Sequence, residues 1–202
     1  MAEVDIVLLL LAALFAGFID AVAGGGGLIQ VPTLLVALPE QAPAAVFGTN
    51  KLASIFGTGN AAWRYARRIA LPWGLALPAA AAAFVFSLGG AAAVAWLPRE
   101  VVRPLVLVLL LLVLMYTVLR PDFGSVAGPR LEASRERRLA LIAGAILGFY
   151  DGFFGPGAGS FMIFAFVRWF RLDFLHASSA AKVVNFSTNA AALLYFVPNG
   201  HV

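Results

Sequence analysis

GFIDAVAGGGG, residues 17–27, returns 131 positions later as GFYDGFFGPGA, residues 148–158. The alignment needs no gap, and the same offset places Lys51 on Lys182. A single offset that matches two separate motifs is hard to obtain by chance. We therefore infer that the chain contains two homologous repeats, and the period of such repeats sets the architecture of the whole chain.

The composition is that of a membrane protein. Of the 202 residues, 62% are hydrophobic and 12% are charged, and the mean hydropathy is +0.93. A soluble domain has about 25% charged residues, so this chain has too little charge to cover a globule in water. Disorder needs low hydrophobicity, and a net charge of +4 without a basic face argues against nucleic-acid binding. The absence of cysteine excludes disulfides and thiolate metal sites.

Long apolar segments between polar joints predict an all-α, polytopic membrane protein with repeats at residues 1–131 and 132–202. The first repeat has a glycine-broken segment at 6–38 and helices at 44–65, 70–97 and 105–119; the second has a glycine-broken segment at 139–167 and a helix at 174–197. The joints are expected at Pro39–Pro43, Arg64–Arg68, Pro98–Pro104 and Arg120–Arg138. Twice the offset is 262 residues, so we expect the second repeat to lack its last two helices.

The basic residues predict the orientation of the two repeats. Basic residues mark the cytoplasmic side of a membrane protein. They follow the lysine helix at Arg64–Arg68 in the first repeat, but precede it at Arg168 and Arg171 in the second. This reversal favours an inverted repeat in which each glycine-broken segment is a re-entrant hairpin. The alternative is one long tilted helix per glycine-broken segment, which would give parallel repeats.

The glycine runs are the first candidate binding elements. Glycine at this density should interrupt a helix, and the helix that restarts after the interruption offers unpaired N–H groups to an anion. The alternative is that these glycines serve close helix packing. The candidate residues are Gly24, Gly25, Gly26 and Gly27 in the first repeat and Gly155, Gly157 and Gly159 in the second.

Two lysines within apolar helices are the second candidate. Lys51 and Lys182 occupy equivalent positions, and an ionisable residue at that depth is by default functional. The polar residues beside them form helical stripes, which suit an oxyanion because it needs charge and several hydrogen-bond donors. The stripes are Thr49, Asn50, Lys51, Ser54 and Thr58 in the first repeat, and Ser178, Ser179, Lys182, Asn185 and Asn189 in the second. The alternatives are lysines that extend to the membrane surface and polar residues that join helices.

Two aspartates precede the glycine runs. Asp20 and Asp151 occupy equivalent positions of the repeats. They could carry protons, serve as counter-ions of the lysines, or cap helix ends, and the sequence does not decide between these roles.

Together these motifs resemble the TauE/SafE family of bacterial sulfite and organosulfonate exporters, including its YfcA-like branch. The residues that carry the resemblance are Gly17–Asp20, Gly24–Gly27, Pro32 and Gly48–Ala53 in the first repeat, and Gly148–Gly159 with Ala180–Lys182 in the second. The resemblance implies a protein of about 250 residues that moves small sulfur-containing anions, coupled to an ion gradient. The second repeat departs from the pattern, since it has Ala180-Ala181 where the first has Thr49-Asn50.

We therefore expect a transporter, an exporter of sulfite, organosulfonates or related sulfur oxyanions, that works by alternating access. The alternatives are an uncoupled anion channel and a membrane scaffold that transports nothing. We expect no enzymatic activity, no cofactor and no metal site. The expected partners are the anion and the lipid bilayer of the bacterial inner membrane, crossed several times, without nucleic acid; the sequence leaves a homo-oligomer open.

Overall fold

The computed structural model describes residues 6–119 and 131–202, and all regular secondary structure within these ranges is helical. The helices are α1 (Ile6–Ala23), α2 (Gly27–Ala37), α3 (Pro43–Arg68), α4 (Trp73–Ala95), α5 (Arg99–Leu119), α6 (Ala133–Phe153), α7 (Ala158–Phe170) and α8 (Phe174–Phe196). Among the described residues, α4 is the one helix that is both long and apolar enough to cross a bilayer by itself. Helices α2 and α7 are apolar but have only 11 and 13 residues.

Two pairs of helices begin at the 131-residue offset found in the sequence. Helices α2 and α7 begin 131 residues apart, and so do α3 and α8. The local start signals differ: Pro43 opens α3, where its missing N–H is not needed, whereas Asp173 caps α8 by accepting the backbone N–H of His176 at 3.0 Å. The same boundary is therefore specified by different residues in the two halves.

Both glycine runs interrupt the apolar segments that contain them. Helix α1 ends before the first run and α2 begins within it, and α6 and α7 are divided in the same way. Gly24, Gly155 and Gly157 have φ of 75°, 88° and 78°, a left-handed conformation that glycine adopts without steric cost. Helix α1 packs against α2, and α6 packs against α7. The alternative of one continuous helix through each segment is wrong for both.

Helices α4 and α6 pack closely along a stripe of small residues. Glycines spaced four residues apart on α6 face small residues with the same spacing on α4, and the pairs are Gly144 with Ala79, Gly148 with Ala83 and Gly152 with Ser87. A Cβ atom on Gly148 would lie 2.4 Å from the Cα of Ala83, so only glycine fits there. Small residues allow helix backbones to approach in this way in membrane proteins.

Helix α8 lies at the centre of the described bundle. It packs against α3, α4, α6 and α7, so residues that it presents to α3 and α6 are enclosed by protein. Large apolar side chains on α1, such as Leu10, Leu14 and Phe18, are exposed on the outside. An apolar surface of this kind is suited to lipid, which leaves the interior of the bundle as the place for charged groups.

Several predicted joints are helical. Arg64–Arg68 forms the last turn of α3, and α5 begins at Arg99 and contains Pro104, within the predicted joint Pro98–Pro104. The first turns of α6 occupy residues 133–138 of the predicted joint Arg120–Arg138, of which 120–130 lie outside the described residues. The predictions were wrong because apolar composition marks the part of a helix suited to lipid, whereas arginine and glutamate are good helix formers and extend the helix beyond it.

Candidate functional site

Lys51 of α3 is buried and forms an ion pair with Asp151 of α6. Its Nζ lies 2.5 Å from the Asp151 Oδ1, and the exposed fractions of the two side chains are 3% and 2%. A buried charge without a partner would be strongly unfavourable, and the pair removes that cost. The ammonium group of Lys51 is therefore held inside the bundle rather than extended to its surface.

Two further residues surround this pair. The Thr188 hydroxyl hydrogen-bonds to the Asp151 Oδ2, and its Oγ1 also lies 2.8 Å from the carbonyl oxygen of Asn185. Gly155, at the break between α6 and α7, lies beside the ammonium group, because a Cβ atom there would be 3.2 Å from the Lys51 Nζ. The lack of a side chain at Gly155 brings Lys51 directly to the interrupted backbone.

Lys182 of α8 forms the matching ion pair with Asp20 of α1. Its Nζ lies 2.7 Å from the Asp20 Oδ2 and 2.8 Å from the backbone carbonyl oxygen of the same residue. The Asp20 Oδ1 accepts the backbone N–H of Gly26 at 3.4 Å, which ties the end of α1 to the start of α2. The exposed fractions of Lys182 and Asp20 are 7% and 31%, so this pair is less enclosed than the first.

The two ion pairs join the halves of the chain reciprocally. Lys51 and Lys182 are separated by 131 residues, and so are Asp20 and Asp151. Each lysine binds the aspartate of the other half, not the one in its own half. Of the three roles that the sequence left open for the aspartates, the structure gives both of them the role of counter-ion, and Asp20 also bonds to the helix start.

The polar stripes of α3 and α8 meet each other. The Asn189 Nδ2 donates to the Thr58 Oγ1 at 3.3 Å, and it also lies 2.9 Å from the Asn185 Oδ1. Thr58 in turn donates to the backbone carbonyl of Ser54 at 2.9 Å. Thr58 and Asn189 are equivalent positions, 131 residues apart. The stripes thus join the helices, as the alternative interpretation of these residues required.

The glycines of the two breaks also serve close packing. A Cβ atom on Gly24 would lie 2.8 Å from the carbonyl carbon of Gly159, so the two breaks touch backbone to backbone. A Cβ atom on Gly27 would lie 3.1 Å from the Cα of Pro156, and one on Gly26 would lie 2.5 Å from a carbonyl oxygen of α1. The two interpretations of these glycines are compatible, since the interrupted chains approach closely where they are interrupted.

The remaining candidates lie around the same centre. Asn50 and Ser178 are buried, and the Asn50 Oδ1 and Ser178 Oγ have no hydrogen-bond partner among the described residues. Thr49 is half-buried, while Gly25 and Gly157 are buried within the two breaks. Buried polar atoms are nearly always hydrogen-bonded, so these two atoms are exceptions among the described residues.

Two residues of the site were not predicted from the sequence. Thr188 corresponds to Gly57 in the first half and lies six residues after Lys182, so neither the repeat nor the helical stripe indicated it. Tyr150 donates its hydroxyl to the Pro156 carbonyl at 2.7 Å and braces the break between α6 and α7. The one signal for Tyr150 was its position next to Asp151.

The groups around the two ion pairs are suited to bind a charged ligand. They include two ammonium groups, two carboxylates, hydroxyls, amides and interrupted backbone. No group of three or more histidine, aspartate or glutamate residues that could hold a metal ion occurs within residues 6–119 and 131–202.

Comparison with known proteins identifies the family of this chain. The family model described as "Sulfite exporter TauE/SafE" matches residues 9–202. The chain belongs to this family. It is 38% identical over 199 residues to the probable membrane transporter protein YfcA of Escherichia coli K12, covering 96% of this chain and 71% of the relative. It is 37% identical over 195 residues to the probable membrane transporter protein ORF9 of a Sinorhizobium species, covering 96% and 73%.

A third relative, a probable membrane transporter protein of Haemophilus influenzae, is 34% identical over 212 residues, covering 98% of this chain and 78% of the relative. No solved structure matches the chain. As a TauE/SafE member, the chain is a helical membrane protein of a transporter family, and its resemblance to that family, inferred from the sequence, is confirmed. The relatives are longer than the chain that matches them.

Proposed function

We propose that this TauE/SafE protein is a secondary transporter that exports small sulfur-containing anions, of the sulfite and organosulfonate class, by alternating access. The observation that carries the proposal is the pair of lysines inside the bundle, each beside a break in the helices of the other half. A transported anion needs positive charge and several hydrogen-bond donors, which a lysine and the start of a half-helix supply together. The description of the family supports the sulfur-containing substrate.

We infer further that the halves are inverted repeats related by a two-fold axis. An exchange of the halves by such an axis maps the Lys51–Asp151 contact onto the Lys182–Asp20 contact. Two residues at equivalent positions can contact each other only next to the axis. Thr58 and Asn189 form such a contact, so the axis passes between them.

The direction of the repeats follows from their basic residues. Arg67 and Arg68 end α3, whereas Arg168 and Arg171 precede α8, so the positive-inside rule supports opposite orientations of the two helices. In transporters with inverted repeats, the substrate binds near the midplane at interrupted helices. The relatives are bacterial proteins, and we infer that this one is inserted in the inner membrane with several crossings.

Two buried polar atoms without partners in the described part of the chain belong to residues close in sequence to the lysines. Asn50 is the chain neighbour of Lys51, and Ser178 lies one helical turn before Lys182. Each therefore lies within one helical turn of a lysine and holds a buried atom without a hydrogen-bond partner among the described residues. An anion could accept a hydrogen bond from the Ser178 hydroxyl, whereas the Asn50 Oδ1 is itself an acceptor and needs a donor.

Flux measurements in proteoliposomes test the proposal. The probes are sulfite, methanesulfonate, thiosulfate and sulfate, offered to the purified protein with and without an imposed proton gradient. We expect movement of at least one sulfur oxyanion against its concentration gradient, which an uncoupled channel cannot achieve. Lys51→Gln should abolish this movement, because the buried positive charge is lost.

The matched control is Arg64→Gln, which removes one positive charge from the same helix at an exposed position. The control should retain flux if the charge must be at the break rather than anywhere on α3. Downhill flux without uphill movement would favour a channel. Absence of flux for every probe would leave a scaffold as the remaining interpretation and would refute the proposed transport.

A further inference from the structure

Both lysines are already neutralised in this structure. The ammonium of Lys51 contacts Asp151, and that of Lys182 contacts Asp20, at 2.5 and 2.7 Å. An anion that joined a closed ion pair would add a net negative charge to a buried site, which is strongly unfavourable. The anion can therefore enter only when a carboxylate gives up its place as the counter-ion.

A proton on the carboxylate meets this requirement. The lysine keeps its positive charge, the carboxyl group becomes neutral, and the anion takes over the contact with the ammonium. The net charge of the site is the same before and after, since a proton and a monovalent anion enter together. When both leave on the other side of the membrane, the ion pair closes again.

Asp151 is surrounded by groups that suit both of its protonation states. The Thr188 Oγ1 is within hydrogen-bond distance of the Asp151 Oδ2 and of the Asn185 carbonyl oxygen, but it has only one hydrogen to donate. With Asp151 ionised, Thr188 donates to the carboxylate. With Asp151 protonated, the carboxyl O–H donates to Thr188, which turns its own hydrogen to Asn185.

Asp20 is held differently. Its Oδ1 accepts the backbone N–H of Gly26, and its Oδ2 accepts the Lys182 ammonium. Both partners are donors only, so a proton on Asp20 would find no acceptor among these contacts. Lys182 also holds the Asp20 backbone carbonyl, a bond that does not depend on the charge of the carboxylate. The two aspartates are equivalent in sequence but not in their ability to take up a proton.

The other charged groups near Asp151 are accounted for. Lys51 faces it from α3, and Tyr150 on its own helix donates its hydroxyl to the Pro156 carbonyl. Helix α4 contains no titratable residue, and Lys182, the lysine of α8, binds Asp20. Lys51 is therefore the charged group that loses its counter-ion when Asp151 is protonated.

We propose, resting on the transport function above, that Asp151 is the proton-binding residue of this protein: its protonation releases Lys51 to the transported anion, so that proton and monovalent anion cross together. Thr188 is the positioning residue that accommodates both states. Asp20 remains ionised and keeps Lys182 bound to the end of α1. The coupled movement is electrically neutral.

The test uses methanesulfonate, a monovalent anion that keeps its charge across neutral pH, in proteoliposomes with the membrane potential clamped. With the wild-type chain, a gradient of about one pH unit should accumulate methanesulfonate about tenfold, because equal numbers of protons and anions move. This accumulation should not change with the clamped potential. Asp151→Asn imitates the protonated residue, so it should carry methanesulfonate downhill without accumulation. Asp20→Asn should transport more slowly but reach the wild-type accumulation ratio.

Each contrary result has a separate meaning. The assignment of the proton to Asp151 would be overturned if Asp151→Asn accumulated methanesulfonate at the wild-type ratio. It would also be overturned if Asp20→Asn lost accumulation while its downhill flux remained intact. If Asp151→Asn does not fold, the wild-type protein is sufficient for the test. Flux of methanesulfonate that follows the membrane potential instead of the pH gradient would overturn proton coupling without contradicting the transport function. Flux of sulfite without flux of methanesulfonate would overturn the inference, since bisulfite carries its own proton. No flux of any anion would refute the transport function itself.

Discussion

Replacing Lys51 with methionine should destabilise the protein strongly, because it leaves the Asp151 carboxylate buried without its counter-ion. The two side chains are 3% and 2% exposed, so water cannot take the place of the ammonium group. Removal of one partner from a buried ion pair costs about 3–5 kcal/mol. At about 2–4 °C per kcal/mol for a chain of this size, the midpoint of thermal unfolding should fall by roughly 6–20 °C.

The double variant Lys51→Met/Asp151→Leu distinguishes the ion pair from simple packing defects. With both charges removed, Thr188 still has the Asn185 carbonyl as an acceptor, and no buried charge remains. Replacement of a whole buried ion pair by apolar residues is often neutral or stabilising, so the double variant should recover to within about 1 kcal/mol of the wild type. Lys182→Met is the control, and it should cost less because Asp20 is 31% exposed.

The assay is thermal unfolding in detergent micelles, followed by the fraction of protein that stays monodisperse on size-exclusion chromatography. The single variants Lys51→Met and Asp151→Leu and the double variant form a cycle whose interaction energy isolates the contact between Lys51 and Asp151. If the double variant loses as much stability as the two single variants together, the ion pair makes no energetic contribution. That result would refute the reasoning.

Three further predictions concern packing and capping. Gly148→Ala should lower stability by about 1–3 kcal/mol in the same assay, because its Cβ atom would meet the backbone of α4. Gly17→Ala, at the equivalent position, has no heavy atom within 4 Å of its Cβ atom and should raise stability by about 0.5–1 kcal/mol. Ser87→Ala removes a 2.9 Å hydrogen bond to a carbonyl of α8 and should cost about 0.6 kcal/mol; a loss above about 2 kcal/mol would contradict this. A backbone amide of α8 holds the pKa of Asp173 below its usual range, so the stability that this contact contributes is present above the unfolded pKa and is lost as pH falls through the folded pKa. Asp173→Asn should keep the cap but weaken this acid dependence of the unfolding midpoint. Asp173→Ala should cost about 1 kcal/mol of stability at neutral pH.

The sequence predicted the parts of the site that depend on local chemistry. Dense glycine and Pro156 indicated where helices are interrupted, because backbone conformation there is decided by neighbouring residues. A fixed offset identified Lys51 with Lys182 and Asp20 with Asp151 without any knowledge of the fold. The roles of the lysines and glycines in binding an anion remain predictions.

The contacts between distant helices could not be predicted in this way. Asp151 meets Lys51 across 100 residues and Asp20 meets Lys182 across 162, and which carboxylate meets which ammonium depends on how α1, α3, α6 and α8 pack. The sequence therefore left three roles open for the aspartates. Thr188 was missed for the same reason, since it matters only because α6 approaches α8 on its side.

The boundaries of the helices were predicted less well than their existence. Hydropathy locates the portion of a helix that lipid can surround. It does not predict the polar turns that extend the helix beyond that portion. Arg99 and residues 135–138 are helical although they are charged, whereas α8 begins at residue 174, where the sequence predicted its start.

The reciprocal ion pairs impose an order on biosynthesis. When α1 to α3 have been inserted, Asp20 and Lys51 are both present, yet neither has met the residue that neutralises it in the finished protein. Asp151 arrives with α6 and Lys182 only with α8, so the last described helix to be synthesised completes the charge balance. We therefore expect the early helices to be held in surroundings that tolerate charge until α8 is inserted.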